Sequence, residues 1–231
     1  MLRVRLRNIL IGLGLVISSL QACAQTDQFL PEFDLYSKLH DKVRFNVQAR
    51  QTREGGEPVQ AEMGPSVDIY LQPLIRLAKI TAFDLDDSKS RPVVFSVGYR
   101  YLPEANGGAA THRMVPVTTA RYPVTAKFLL TDRNRADLDW KDGTFLWRYR
   151  NRFQAERAVA IRSYHLTPYW SAEFFYQSQY GKWSDTAIYA GCLFPIRRHI
   201  QIDSYYEHQN NTGKSPNQQL NQFGLTIGLY F

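Results

Sequence analysis

The sequence predicts an all-β fold, a single antiparallel transmembrane β-barrel of ten to twelve strands preceded by a cleaved signal peptide. Three observations predict it. The chain alternates apolar and polar residues with a period of two over most of its length, which is the period of a strand and not of a helix. The polar members of that alternation are charged out of proportion to a soluble surface. The chain opens on a basic, then apolar leader and closes on FGLTIGLYF, where Phe223, Leu225, Ile227, Leu229 and Phe231 keep step.

The leader comes first. Arg3, Arg5 and Arg7 precede the uncharged run ILIGLGLVISSL, and Ala22-Cys23-Ala24 offers a small-residue cleavage site. The run is too short to span a bilayer as a helix and reads as a secretory signal over residues 1–24. A lipoprotein signal at LQAC, with Cys23 lipidated, is the rival reading. Cleavage removes three arginines and no acids and lowers the formal charge from +7 to +4. That charge is spread along the chain and excludes a nucleic-acid footprint. Cys192 then stands alone, and one thiol makes no internal disulfide.

Residues 25–231 show no linker, so they form one barrel domain. The alternation places strands near 33–39, 43–50, 67–75, 93–102, 114–124, 127–140, 144–157, 169–177, 186–194, 200–208 and 223–231; an even total needs one more, within 76–85. LQPLIRLAKI (71–80) is the one stretch that tempts a helical reading. The long polar stretches 52–66, 103–112 and 210–219 fall on one rim and PIRRH on the other, which is the loop asymmetry of outer-membrane barrels. The short KDG and the long segment 78–92 break that rule.

TFLWRYRNRF (144–153) shows what the alternation means. Phe145, Trp147 and Tyr149 share one face; Arg148, Arg150 and Arg152 share the other. Asp142-Gly143 is a two-residue type I′ turn signal. It sets Lys141 against Thr144, Asp137 against Arg148, Arg135 against Arg150 and Arg133 against Arg152. On the other face it sets Trp140 against Phe145. Like charges directly opposite are destabilising, so the arginine column requires acids from other strands inside a closed interior. Asp68, Glu173, Asp203 and Glu207 lie on the polar phase of their strands, as does Arg100. The expected lumenal network is therefore Arg133, Arg135, Asp137, Arg148, Arg150, Arg152, Glu173, Asp203, Glu207, Asp68 and Arg100. The expected lipid-facing aromatics are Trp140, Phe145, Trp147, Tyr149, Phe95 and Tyr99. The terminal Phe223, Leu225, Ile227, Leu229 and Phe231 form the expected assembly signal.

VFSVGYRYL (94–102), TDRNRADLDW (131–140), FLWRYRNRF (145–153) and EFFYQ (173–177) resemble an uncharacterised bacterial family of the domain-of-unknown-function type. The resemblance implies an outer-membrane barrel of the Gram-negative envelope and brings no activity with it.

Nothing in the sequence identifies an enzyme. There is no G-x-S-x-G, no phosphate-binding loop and no metal spacing. His112 has no acid at a telling distance, and Glu207 and His208, as strand neighbours, point to opposite faces. Asp84, Asp86 and Asp87 lack the glycine and distal glutamate of a calcium loop and read as a solvated turn. No catalytic residue, metal or cofactor is expected. The expected partners are outer-membrane lipid, lipopolysaccharide and the barrel assembly machinery. The task expected of the chain is structural, or narrow-pathway transport through an occluded, charge-lined lumen. The alternatives are an outer-membrane enzyme acting on lipid or peptide, or a soluble or lipid-anchored periplasmic β-barrel binding a small ligand.

Overall fold

The computed structural model describes residues 25–71, 85–104, 108–125, 128–213 and 215–231. The expected signal peptide, most of the 71–80 stretch, Asp84 and the search region for a further strand within 76–84 lie outside these residues.

The described chain is β throughout apart from one short 3-10 turn, Asp87–Ser90. The strands are β1 (Gln25–His40), β2 (Val43–Glu54), β3 (Glu57–Leu71), β4 (Val93–Leu102), β5 (Thr111–Thr125), β6 (Phe128–Lys141), β7 (Thr144–Arg157), β8 (Val159–Ile161), β9 (Tyr164–Gln177), β10 (Lys182–Arg197), β11 (Ile200–Asn211) and β12 (Gln218–Tyr230). β8 only extends the β7–β9 hairpin, pairing with Tyr164–Leu166. The other strands close an 11-strand β-barrel.

An odd strand number corrects the expectation of an even, wholly antiparallel barrel. All neighbours run antiparallel except β1 and β12, which pair in parallel from Gln25↔Gln219 to Tyr36↔Tyr230. The physical reason is the length of β1. It begins at Gln25, earlier than the 33–39 stretch where alternation is clean, and so has a full edge for β12 to close against. The backbone of Phe231 ties this seam off, donating to Tyr36 O at 2.9 Å and accepting from Lys38 N at 2.8 Å. We call the end where β1 starts the N rim and the end where β12 stops the C rim. Eleven strands about 4.8 Å apart, tilted by about 40°, give a backbone diameter of roughly 22 Å.

The β6–β7 register runs as the turn chemistry requires, from Lys141↔Thr144 through Asp137↔Arg148 to Arg133↔Arg152. Asp142 and Gly143 both take positive φ, 48° and 73°, as a type I′ turn demands. The loop asymmetry needs correction. Residues 52–66 are not a loop: β2 and β3 run on to a turn at Gly55-Gly56 and stay paired from Val43↔Ile69 to Glu54↔Glu57. Their polar, glycine-containing sequence masks strands that extend past the apolar band.

The alternation sets the sidedness of the wall. Phe29, Phe33, Val67, Phe95, Trp140, Phe145, Trp147, Trp170, Phe174, Phe223, Leu225 and Ile227 are exposed on the outside, while Arg44, Glu62, Asp68, Arg100, Arg113, Arg135, Asp137, Arg150, Glu173 and Glu207 are buried inside. Outward-facing Tyr149 is half-buried because it packs edge-on against Trp183 and hydrogen-bonds Asn134; Tyr99, also outward, hydrogen-bonds His112 at 2.6 Å. Leu229 lies in step with the outward residues and is half-buried. Phe231 is exposed and stacks on His199, with ring centroids 5.3 Å apart.

Candidate functional site: the charged lumen

The interior is built from ion-pair hubs. Asp137 is fully buried and is held by Arg135 at 2.5 Å and Arg148 at 2.7 Å. Glu173, on β9, is gripped bidentately by Arg150 at 2.8 and 3.1 Å and by Arg152 at 2.7 Å. A rigid guanidinium fork against a planar carboxylate is the geometry arginine serves best. This offsets the like-charge pairs Arg135↔Arg150 and Arg133↔Arg152 that the register forces. On the N-rim side Glu62 accepts from Arg50 and Arg113, both at 3.2 Å, and Arg113 also grips Asp139 at 2.6 and 2.8 Å.

The expected network residues all face this interior, but they do not form one network. Asp68 serves Arg44, at 2.7 Å, and not the arginine column. Among the described residues Asp203 accepts the Tyr169 hydroxyl alone, at 3.0 Å. Glu207 accepts the Tyr189 hydroxyl at 2.8 Å, and that oxygen is also 2.6 Å from Glu173. Arg100 takes no carboxylate among the described residues. Its guanidinium donates to Pro65 O and Tyr99 O at 2.9 Å and to Gly64 O at 3.2 Å. Pro65 has no N–H for the β3–β4 ladder, and Arg100 satisfies the carbonyls at that gap. Arg133 faces the lumen and has no hydrogen-bond or ion-pair partner among the described residues.

Two features carried no clear sequence signal. The first is a plug. Residues 85–90, expected as a solvated turn, fold into the lumen at the C rim. Ser88 and Lys89 are buried there. Asp86 receives Arg44 at 2.6 Å and caps Ser88 N at 3.0 Å. Lys89 reaches Glu156 at 2.9 Å, Arg121 donates to Ser88 O at 3.0 Å, and Leu85 N donates to Gln201 at 2.8 Å. A long connection at the short-turn rim is thus accounted for, because part of it goes inward. Burial alone would raise the Asp86 carboxyl; Arg44, Arg121 and Lys89 override it and hold Asp86 well below the usual carboxylate range.

The second is a set of inward aromatics. Phe175 and Tyr189 are buried, with Tyr169 and Tyr205 packed beside them. Arg150 lies over the Phe175 ring at 4.9 Å and Arg152 over Tyr189 at 4.1 Å. Tyr205 fits because Gly224 has no side chain: a Cβ there would sit 2.0 Å from its ring.

The result is a lumen of two chambers. One of about 460 Å³ opens toward the N rim and one of about 370 Å³ lies toward the C-rim plug; Arg50, Arg150, Arg152, Tyr189 and Tyr205 line both and form the waist between them. Among the described residues no group of His, Cys, Asp and Glu has the geometry of a metal site. His112 meets Tyr99, and His208 faces Asn221 at 2.9 Å, so neither histidine addresses a carboxylate. Cys192 is half-buried on the outward face of β10.

A family model described as a protein of unknown function, DUF2490, matches residues 32–220, from the first strand to the last. The chain belongs to the DUF2490 family. The RNR and RYRNR segments that carried the resemblance are the halves of the Asp137 hub. No curated protein matches the chain.

Proposed function

We propose that this DUF2490 chain is an integral outer-membrane β-barrel with a narrow, charge-lined and occluded lumen, exported by the leader at residues 1–24. One observation carries the reading, the sidedness of the wall. In a water-soluble barrel the rings would be inside and the ion pairs in solvent. Here large apolar side chains cover the outside and buried ion pairs fill the inside, which is the arrangement a hydrocarbon solvent selects. The outward run Phe223–Phe231 covers about 26 Å along β12, or roughly 20 Å of height at the usual tilt. The outward carboxylate of Asp132 is paired on the wall, accepting from Asn151 at 2.7 Å and from Asn134 at 3.1 Å. Closure also leaves no free strand edge, a requirement inside a bilayer.

Membranes from expressing cells, washed with urea or carbonate, test the proposal. The expected result is retention in the pellet with heat-modifiable migration on a denaturing gel; release into the wash overturns it. In planar bilayers the waist predicts small or no current in the wild type, with Arg150→Ala conducting more.

A further inference from the structure

The charges facing the C-rim chamber are not all neutralised within the wall. Arg44 is committed to Asp68 and Asp86, Lys89 to Glu156 and Arg152 to Glu173. Arg133, on β6, makes no hydrogen bond or ion pair with a described residue. Arg100 and Arg121 also face the chamber without a carboxylate partner among the described residues, but they are taken up by backbone carbonyls, Gln48 and the Ser88 hydroxyl. Asp34 is 6% exposed and, among the described residues, receives the Tyr36 hydroxyl alone, its second oxygen meeting no donor. Asp203 likewise receives Tyr169 alone among them. In the ring of strands β6 lies five neighbours from β1 one way and five from β12 the other. Arg133 therefore projects from the wall diametrically opposite the seam, beside which Asp34 (β1) and Asp203 (β11) lie. All three line one cavity of about 370 Å³, within the size range of small-ligand sites, yet no ion pair joins them across it.

We propose that this chamber binds a small zwitterion of the amino-acid or short-peptide class. Its carboxylate sits on Arg133, and its ammonium on Asp34 and Asp203. A simple anion gains nothing from the seam wall, and a simple cation is repelled by Arg133. A net-neutral ligand with separated charges gains from both walls. On the seam side an alcove of about 200 Å³ brings Asp34 and Asp203 together beside Tyr36, Tyr169 and Tyr230; Lys89 and Arg152, which also line it, are committed to Glu156 and Glu173. Thr226 and Gly228 are small enough to leave it open. The inference does not depend on which solvent the outer wall meets, since binding is read on folded protein in micelles or buffer alike, whereas the membrane reading is decided by the wash.

Isothermal titration of the refolded protein tests it, with alanyl-alanine as probe against its N-acetyl derivative, which keeps only the negative charge, and its amide, which keeps only the positive. The expected result is binding of the dipeptide at least about tenfold tighter than either analogue. Arg133→Gln should make the dipeptide and its amide equivalent, and Asp34→Asn combined with Asp203→Asn the dipeptide and its acetylated form. If a variant does not refold, the analogue series on the wild type decides alone. No heat with any probe, or equal affinity for all three, overturns the inference.

Discussion

The wall formed by β6, β7 and β9 and the wall formed by β11, β12 and β1 come from the same alternating pattern but build different interiors. The first spends most of its charges on itself, Arg133 excepted: Arg135 and Arg148 close on Asp137, Arg150 and Arg152 on Glu173. The second has Asp34, Asp203 and Glu207 answered, among the described residues, by tyrosine hydroxyls alone, and fills its space with Tyr205 lying over Gly224. Alternation decides which face a side chain takes. It does not decide whether a charge on that face is neutralised, because the partner is chosen by the neighbouring strand's register. One wall acts as a strut, with Arg133 left over, while the other holds carboxyl groups that no cation in the wall has claimed.

The largest effect should come from breaking the strut. Glu173→Ala leaves Arg150 and Arg152 without their shared carboxylate, and removing one partner of a buried ion pair costs about 3–5 kcal/mol. Denaturant unfolding of the refolded barrel measures it. Asp34→Asn on the opposite wall, where no cation is paired, should stay within about 1 kcal/mol of wild type, on the scale of one ordinary hydrogen bond. Equal losses for the two would erase the distinction between the walls.

The seam wall should fail differently, by overpacking. Gly224→Ala puts a methyl group 2.0 Å from the Tyr205 ring, and forcing an extra carbon into a packed site costs about 1–3 kcal/mol. In a Tyr205→Ala background the same glycine substitution should cost almost nothing. That non-additivity in a double-mutant cycle reports the ring–glycine contact directly. Two additive losses would place the cost in the backbone.

The β6–β7 hairpin was legible to the residue, because Asp142-Gly143 fixes a register and register fixes every cross-strand pair. β4 was legible for a related reason: alternation from Val93 to Leu102 ends at turn-forming residues on both sides. The seam was not. β1 begins among Gln25-Thr26-Asp27, where polar residues fall on both faces, so its true length, and with it the odd strand count and the parallel closure, left no periodic trace. The polar ends of β2 and β3 hid for the same reason. The arginine column announced its need for acids, and Glu173 was among those that answered. That Asp203 and Glu207 would turn to tyrosines, and Arg133 to no partner, depended on strands several hundred atoms away. The plug was the least legible element. Asp86, Asp87, Ser88 and Lys89 have the composition of a solvated turn, and only the barrel's own interior, rich in fixed charges, makes burying them favourable.

That plug joins the two walls, since Lys89 reaches Glu156 on β7 and Leu85 N reaches Gln201 on β11. It also provides the smallest predicted effect. Asp86→Asn keeps the cap on Ser88, for asparagine caps as well as aspartate, and loses the charge that faces Arg44, Arg121 and Lys89. The expected cost is about 1 kcal/mol of local docking, read as faster amide exchange over residues 85–90 with the strands unchanged. The pH dependence separates the charge from the cap. Because the folded structure holds Asp86 below its unfolded value of about 3.9, the charge contributes fully above that pH and is lost as pH falls from there toward the lower folded value. Exchange in the plug should therefore be independent of pH down to about 4, once corrected for the intrinsic rate. It should rise below that pH in the wild type and not in Asp86→Asn. A rise of equal size in both would assign the acid response to the strut's carboxylates on β6 and β9 instead of to the plug.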